Sequence, residues 1–405
     1  MRVLLIGSGG REHALAWKLR QSSRLDELHA APGNPGIARL GECHPVRAED
    51  GEGLLDLARS LEADLVVVGP EAPLVSGVAD DLRHAGVAVF GPSREAARIE
   101  GSKSFAKDVM RAAGVPTAET LAVARPPCVI KVDGLAAGKG VFVCPDQEAL
   151  DEALRAAGRL GQSLVIEELL EGEEVSLFAI ADGSDAVALA PARDYKRVGD
   201  GNTGPNTGGM GAYSPVTELT AADVDVLLAT VHRPVLAELA ARGVPFVGLL
   251  YAGLMLTEAG PKVLEFNCRF GDPETQAILP RIQGDLLETL AAAAEGDLGP
   301  DGLGVADEAA VTVVLAARDY PEQGDSGTPI EGMDEAEANA LVFHAGTAIQ
   351  GGRLVTNGGR VLDVTALGST VEEARNAAYA ACAHISFDGM QYRRDIATRT
   401  ADVAT

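Results

Sequence analysis

Aromatic side chains are scarce in this chain. Phe, Trp and Tyr make up 4% of its 405 residues, with a single tryptophan. Apolar residues still reach 46%, so the cores must be assembled from Ala, Val and Leu. Positive charge is also short, with 34 Lys and Arg against 59 Asp and Glu and a net charge of −25. A nucleic-acid binder shows a basic face or stripe. Here the cations occur mainly as scattered singles, which speaks against DNA, RNA and anionic membranes as partners. Any phosphate site must therefore be made locally, by backbone amides and a few placed cations. The five cysteines, Cys43, Cys128, Cys144, Cys268 and Cys382, form no Cys-x-x-Cys pair and are odd in number. That is the pattern of free thiols in a reducing cytosol. None of the seven histidines makes a His-x-x-x-His pair, which argues against a zinc site. No apolar run approaches membrane-spanning length. The first apolar stretch breaks into glycines at Gly7-Ser-Gly-Gly10, unlike a secretory leader, so the expected compartment is the cytoplasm.

The length exceeds one ordinary domain, and about two to four are expected. Short buried strands at 3–6, 65–68 and 87–90, with a weaker one near 28–31, alternate with helical spacing at 11–19, 54–61 and 78–84. That alternation predicts a doubly wound parallel sheet over about the first 100 residues. From about 118 to 174 the pattern turns to strands, a glycine-rich loop and one helix, the signature of a small α+β lobe. A larger lobe follows, with a long polar glycine-dense loop over 194–211 and a helix over 221–241. The remainder has short strands and a late helix over 371–385. The expected domains are 1–117, 118–174, 175–305 and 306–405, an α/β and α+β multidomain chain.

The richest chemistry lies in Val263-Leu-Glu-Phe-Asn-Cys-Arg-Phe-Gly-Asp-Pro-Glu274. Glu265 and Asn267 sit two apart, so on a strand both point to one side. A carboxylate and an amide oxygen are hard donors that suit Mg²⁺ retaining waters and phosphate oxygens. Arg269 would follow on the same face if the strand continued, ready to meet an anion. A cation beside an arginine is what phosphoryl transfer from ATP requires. A buried strand ending in a polar turn is the plain alternative.

Other segments fit that chemistry. Gly7-Ser-Gly-Gly-Arg-Glu12 joins a strand to a helix, where backbone amides and the helix N-terminus favour an anion. Glu12 stands where the dinucleotide pattern asks for Gly, so a smaller phosphate ester fits better, with Arg11 as an extra cation; a ligand-free turn also fits. Lys131 ends a buried strand, where a lone charge is costly unless paired or liganded. The loop after it, with Gly134, Gly138, Lys139 and Gly140, is not a Walker loop, because Gly140 follows Lys139, yet Lys139 could close over a triphosphate. Glu167-Glu-Leu-Leu-Glu-Gly-Glu-Glu174 could offer adenine an apolar slot with backbone hydrogen bonds and offer ribose a carboxylate, Glu174; taken alone, the segment reads more readily as a solvated acidic turn. The 194–211 loop carries Asp194, Lys196 and Arg197, charges suited to a zwitterionic or phosphorylated substrate, and long loops of this kind are usually functional.

Taken together and in order, these segments resemble the ATP-grasp ligases, and within them the phosphoribosylamine–glycine ligase family. The most specific strings are Gly9-Gly-Arg-Glu-His-Ala14, Val68-Gly-Pro-Glu-Ala-Pro-Leu74, Glu100-Gly-Ser-Lys103, the stretch 133–140, Thr203-Gly-Pro-Asn-Thr-Gly-Gly-Met-Gly-Ala-Tyr213, the stretch 265–274, and Phe343-His-Ala-Gly-Thr347 with Thr356-Asn-Gly-Gly-Arg360. The resemblance runs nearly end to end. It implies an N-terminal substrate domain, a two-lobed ATP-grasp core and a small C-terminal α+β domain.

It also implies that Lys103 and Lys131 contact ATP phosphates under a loop carrying Gly138 and Lys139, that Glu167 and Leu170 hold adenine through their backbones, and that Glu174 takes the ribose. Glu265 and Asn267 would bind Mg²⁺ or Mn²⁺. Gly9, Gly10, Arg11 and Glu12, with Asn34 and Glu71, would form the 5-phosphoribosylamine site, and glycine would lie near Asp194, Lys196 and Arg269. Lys139 and Arg269 would serve the phosphoryl transfer. The chain departs from the family pattern where 121–128 and 156–163 are short, which leaves the helix count and closure of the small lobe open. The implied reaction activates glycine as an acyl phosphate and joins it to 5-phosphoribosylamine in purine biosynthesis, in a monomer or weak homo-oligomer. Rival readings are another ATP-grasp ligase of purine precursors and a nicotinamide-dependent oxidoreductase. The latter leaves everything after Lys103 without a role.

Overall fold

The computed structural model describes residues 1–135, 140–160, 163–299 and 302–398. Strands β1 (Arg2–Gly7), β2 (Glu27–Pro32), β3 (Glu42–Cys43), β4 (Leu65–Val68) and β5 (Ala88–Phe90) form one parallel sheet in the order β3-β2-β1-β4-β5. Val3 to Ile6 and Leu65 to Val68 are buried throughout, as expected of parallel strands covered on both faces. Helix α1 (Gly10–Leu19) leaves β1 through a tight turn. Gly7 is needed there: its φ is +126°, and a Cβ would stand 2.6 Å from Glu12 Cγ.

The small lobe is a three-stranded antiparallel sheet, Val141–Cys144, Cys128–Val132 and Leu164–Glu168 in spatial order, backed by helix Gln147–Leu160. It closes on its own core of Cys128, Ile130, Val132, Cys144, Leu150, Ala153 and Ala157. The large lobe holds the antiparallel sheet Ala186–Ala188, Glu173–Asp182, Val247–Thr257 and Gly260–Asn267. Its inner face shares one core with the N-terminal sheet, joining Leu177, Leu250 and Phe266 to Val66, Leu82 and Val89.

Two expectations change in detail. The helix over 221–241 is two helices, Ala221–Leu227 and Arg233–Ala241, separated by a π turn at Leu228–His232. Pro234 has no N–H to give the preceding turn, so the ladder widens there. The 194–211 stretch is not an unstructured loop. Arg197–Gly199 and Thr203–Asn206 pair as a hairpin, and Arg193–Asp194 and Gly211–Ser214 are strands of the C-terminal sheet. Strands of two to four residues are too short to show a period, and the glycines conceal them.

That C-terminal sheet runs Arg193–Asp194, Gly211–Ser214, Ala309–Ala316, Arg360–Gly368 and Leu341–His344. Segments from either side of residue 305 therefore share one sheet. Helix Val371–Cys382 covers it over a third core. Among the described residues, no helix is long and apolar enough to cross a membrane.

Candidate active site

The small lobe, the large-lobe sheet, the ends of the N-terminal strands and the C-terminal sheet meet around a cleft of about 2280 Å³. One irregularity aims its central residues. Gly253 pairs with Glu265 and Leu254 with Val263, so Leu264 is an extra residue, a β-bulge in strand Gly260–Asn267. The bulge sends both Val263 and Phe266 into the core while Glu265 and Asn267 face the cleft. It also turns the Leu264 carbonyl toward Lys131, whose Nζ donates to it at 2.7 Å. Bulges re-aim side chains in this way.

Glu265 lies 3.8 Å from Lys103 Nζ. Burial would push its carboxyl up, but Lys103, Lys196, Lys131 and Arg269 outweigh that and hold it at about 2. Glu265 is thus ionised at any working pH. With the Asn267 amide beside it, this oxygen donor set fits a hard divalent cation that completes its shell with water and phosphate.

The strand ends at Asn267, so Arg269 is not its next residue on the same face. Carboxylates from the N-terminal half place it instead. Its Nε lies 3.2 Å from Glu71 Oε2, and a terminal nitrogen lies 3.4 Å from Glu100 Oε1. Burial disfavours the guanidinium charge, but Glu100 and Glu71 more than compensate and raise its pKa. Glu100 also accepts from the Cys268 N–H at 2.8 Å. Burial pushes the Glu71 carboxyl up, and Arg269 and Arg11 bring it below its usual value.

The lone buried charge at Lys131 is paired. Glu167 bridges it, at 2.7 Å, to Lys107, at 2.9 Å. Lys107 also donates to Thr117 Oγ1 and the Ala118 carbonyl. It is a site residue that the sequence reading missed, although it stands four residues after Lys103 on one helix, hence on the same face. The Glu167 side chain ties the small lobe to this helix. Beside it, Leu170, Val129, Val143, Met255 and Leu264 line the cleft, an apolar slot between the lobes.

On the far side, Lys196 forms an ion pair with Glu174. Burial pushes the nearby Asp194 carboxyl up to about 8, with Lys196 opposing and Glu274 and Glu174 adding to the rise. Glu274 accepts from the Tyr251 hydroxyl at 2.9 Å. Arg360 donates at 2.8 Å to the Gly208 carbonyl and to both the carbonyl and the carboxylate of Asp272. It thereby fixes the 208–211 turn to the segment after Arg269.

Of the residues expected at the site, Arg11, Glu71, Lys103, Lys131, Glu167, Leu170, Glu174, Asp194, Lys196, Glu265, Asn267 and Arg269 line this one cleft. Gly138 and Lys139 lie outside the described residues. Gly9, Gly10, Glu12 and Asn34 do not line it, and the structure engages them elsewhere. Glu12 folds back to accept from the Gly9 N–H at 2.6 Å and to pair with Arg11 at 2.5 Å. Gly10 lies so close to the C-terminal sheet that a Cβ would stand 1.7 Å from Asp363 Oδ2. Asn34 spends its amide on the carbonyls of Ser8 and His344 and on the Ile37 N–H. Glu100, Lys107, Tyr251, Asp272, Glu274 and Arg360 were not assigned roles from sequence.

Family models for the phosphoribosylglycinamide synthetase N domain, ATP-grasp (A) domain and C domain match residues 1–100, 101–275 and 310–399. The chain belongs to the phosphoribosylglycinamide synthetase family. It is 52% identical over 418 residues to the phosphoribosylamine–glycine ligase of Streptomyces coelicolor, covering 99% of this chain and 100% of that one. The corresponding ligase of Rhizobium meliloti is 50% identical, with 98% of each chain covered. The crystal structure of phosphoribosylamine–glycine ligase from Thermotoga maritima superposes with a TM-score of 0.84 at 36% identity, over 98% of this chain and 100% of that one. The biotin carboxylase domain of Hydrogenobacter thermophilus 2-oxoglutarate carboxylase shares the fold, with a TM-score of 0.71 at 16% identity over 96% and 91% of the two chains. As a phosphoribosylglycinamide synthetase family member with an ATP-grasp core, the chain is an ATP-dependent ligase.

Proposed function

We propose that this ligase joins glycine to 5-phosphoribosylamine through glycyl phosphate, giving glycinamide ribonucleotide, ADP and phosphate, a step of purine biosynthesis. The observation that carries the reading is the ionised Glu265 beside Asn267, ringed by Lys103, Lys131, Lys196 and Arg269, in a chain of this family. Glycine's carboxylate is a poor electrophile, and phosphorylation gives it a leaving group. The amine of 5-phosphoribosylamine then attacks the acyl carbon and expels phosphate. Charge spreads over the transferred phosphoryl group, and fixed cations stabilise it there.

Lys103 and Lys131 hold the ATP phosphates, with Gly138 and Lys139 covering them, and Glu167 and Leu170 face adenine. Glu174 takes the ribose, which requires it to share or leave its pairing with Lys196. Glu265 and Asn267 hold Mg²⁺ or Mn²⁺, which when bound neutralises phosphate charge. Arg269, held rigidly by Glu71 and Glu100, meets the developing charge, with glycine near Asp194 and Lys196. Gly9, Gly10, Arg11, Glu12, Asn34 and Glu71 form or support the phosphoribosylamine side, reached through Arg11 and Glu71. The free thiols and the acidic surface support a cytoplasmic enzyme, acting as a monomer or weak homo-oligomer on small molecules.

The test is ADP release with glycine and 5-phosphoribosylamine each omitted in turn. Turnover that needs both supports the assignment. Undiminished ADP formation without glycine, in the presence of another carboxylate, overturns it in favour of a different ATP-grasp ligase.

A further inference from the structure

We propose that His29, Glu42 and His44 form a transition-metal site of the Zn²⁺ class on the outer edge of the N-terminal sheet, separate from the catalytic cation. The sequence spacing hid it, because the ligands come from two strands. β2 and β3 run parallel with His29 opposite Glu42 and Ala30 opposite Cys43. The His44 N–H bonds to the Ala30 carbonyl at 2.8 Å and carries the pairing one residue further. Alternation along β3 then puts Glu42 and His44 on the side of His29. Cys43 points away, its Sγ 3.8 Å from the Asn34 carbonyl.

The donor atoms converge. His29 Nδ1 lies 3.0 Å from His44 Nε2 and 3.8 Å from Glu42 Oε2, and one ligand atom from each residue lies within 4.8 Å of the others. Two imidazoles and a carboxylate are a known three-ligand set for zinc, leaving the fourth tetrahedral position to water. Mg²⁺ prefers six oxygens and does not suit it. A second feature is built for the role. Glu27 Oε2 lies 3.3 Å from His29 Nε2, the ring nitrogen that does not face the cluster. A carboxylate on that nitrogen fixes the tautomer that leaves Nδ1 free to ligate, as such partners do at metal sites. His29 is buried, His44 half-buried and Glu42 exposed, so the ring is held while solvent can reach the open side. None of the three lines the catalytic cleft.

The test is calorimetric titration of the full chain with Zn²⁺ in excess Mg²⁺, which keeps the oxygen site at Glu265 occupied. One equivalent should bind. Glu42→Gln and His44→Ala, both at accessible positions, should each weaken binding at least about ten-fold, and Glu27→Ala, which removes the acceptor on His29 Nε2, should weaken it about ten-fold through orientation alone. Melting curves in chelator should match wild type, showing that these variants fold. Cys43→Ser should leave binding unchanged. The proposal falls if no saturable binding appears, if Glu42→Gln and His44→Ala bind as wild type, or if Cys43→Ser abolishes binding and so reveals a thiol site. An unloaded 3.0 Å contact between the two rings would then be a simple hydrogen bond.

Discussion

On the large-lobe side of the cleft, Val263 and Phe266 share a core with Val66 and Leu82 of the N-terminal sheet. On the small-lobe side, Ile130 and Val132 belong to a separate, smaller core with Cys128, Cys144, Leu150, Ala153 and Ala157. The first wall is continuous with the bulk of the molecule. The second is fastened to it largely by charge, through Glu167 between Lys107 and Lys131 and through Lys262 with Glu168 at 2.7 Å. Glu265, Asn267 and Arg269 stand on the fixed wall. On the proposed assignment, the metal and the reacting phosphoryl group would meet rigid partners, while the nucleotide would be gripped by a lobe with little buried apolar surface of its own.

Substitutions on the fixed wall should cost chemistry far more than fold. Glu265→Gln keeps the side-chain shape and removes the ligand charge, and turnover at saturating Mg²⁺ should fall at least about a hundred-fold, or ~3 kcal/mol. Its melting temperature should shift by only a few degrees. A large fall in melting temperature with near-normal turnover would make this wall structural only. Arg269→Lys should follow at about ten- to a hundred-fold in kcat/KM. It keeps the charge but cannot bridge Glu71 and Glu100 with a planar fork. Arg269→Ala is a poorer probe, since it strands two carboxylates at a cost of roughly 3–5 kcal/mol. Normal turnover in Arg269→Lys would remove that residue from the chemistry.

On the small-lobe wall the expected effect is smaller and of another kind. Lys107→Met leaves Glu167 with Lys131 alone, so KM for ATP should rise about ten-fold with kcat nearly kept. Amide exchange in strand Cys128–Val132 should quicken in this variant. In the wild type without ATP it should already exceed that of β1 and β4. Equal protection in all three strands would break the comparison between the walls.

The fixed wall and the N-terminal interface also hold three buried neutral histidines. Burial depresses His13 to about 3 and His232 and His344 to about 4. Unfolding lets each take a proton near the ordinary value of 6.5, so their contribution is full above pH 6.5 and is lost as pH falls toward about 4. Each adds a slope of up to ~1.4 kcal/mol per pH unit. His232 is fully buried and packs edge-on at 6.4 Å to Phe266. His232→Leu should flatten the fall in melting temperature between pH 6.5 and 4.5, and an unchanged slope would refute this. Glu265, held at about 2, is not the group that titrates there.

How much the sequence disclosed follows the same division. Buried parallel strands such as 65–68 are continuous apolar runs, and the Glu265–Asn267 pair reads directly from a period of two. The bulge at Leu264 could not be read, because one inserted residue changes register without changing composition. Glu100 and Arg360 were illegible as site residues because their partners, Arg269 and Asp272, lie far away in sequence, and Lys107 showed only its spacing from Lys103, with its partner Glu167 as remote. Conversely, Asn34 and Glu12 sit in family-like strings, yet Asn34 spends its amide tying the β1–α1 turn to the C-terminal sheet, and Glu12 spends its carboxylate on Gly9 and Arg11 at the start of α1. The short strands at 193–194 and 211–214 were hidden by glycine and by their length, and with them the fact that Asp194 is placed by the C-terminal sheet.

The central claim is that the cations gathered around Glu265 serve formation of an acyl phosphate. If so, one carboxylate oxygen of glycine must leave with the phosphate when the amine attacks. Glycine labelled with ¹⁸O in its carboxylate should give ¹⁸O-labelled inorganic phosphate in the complete reaction, in wild type and, more slowly, in Arg269→Lys. Unlabelled phosphate from the wild-type enzyme, with product formed at the normal rate, would contradict it.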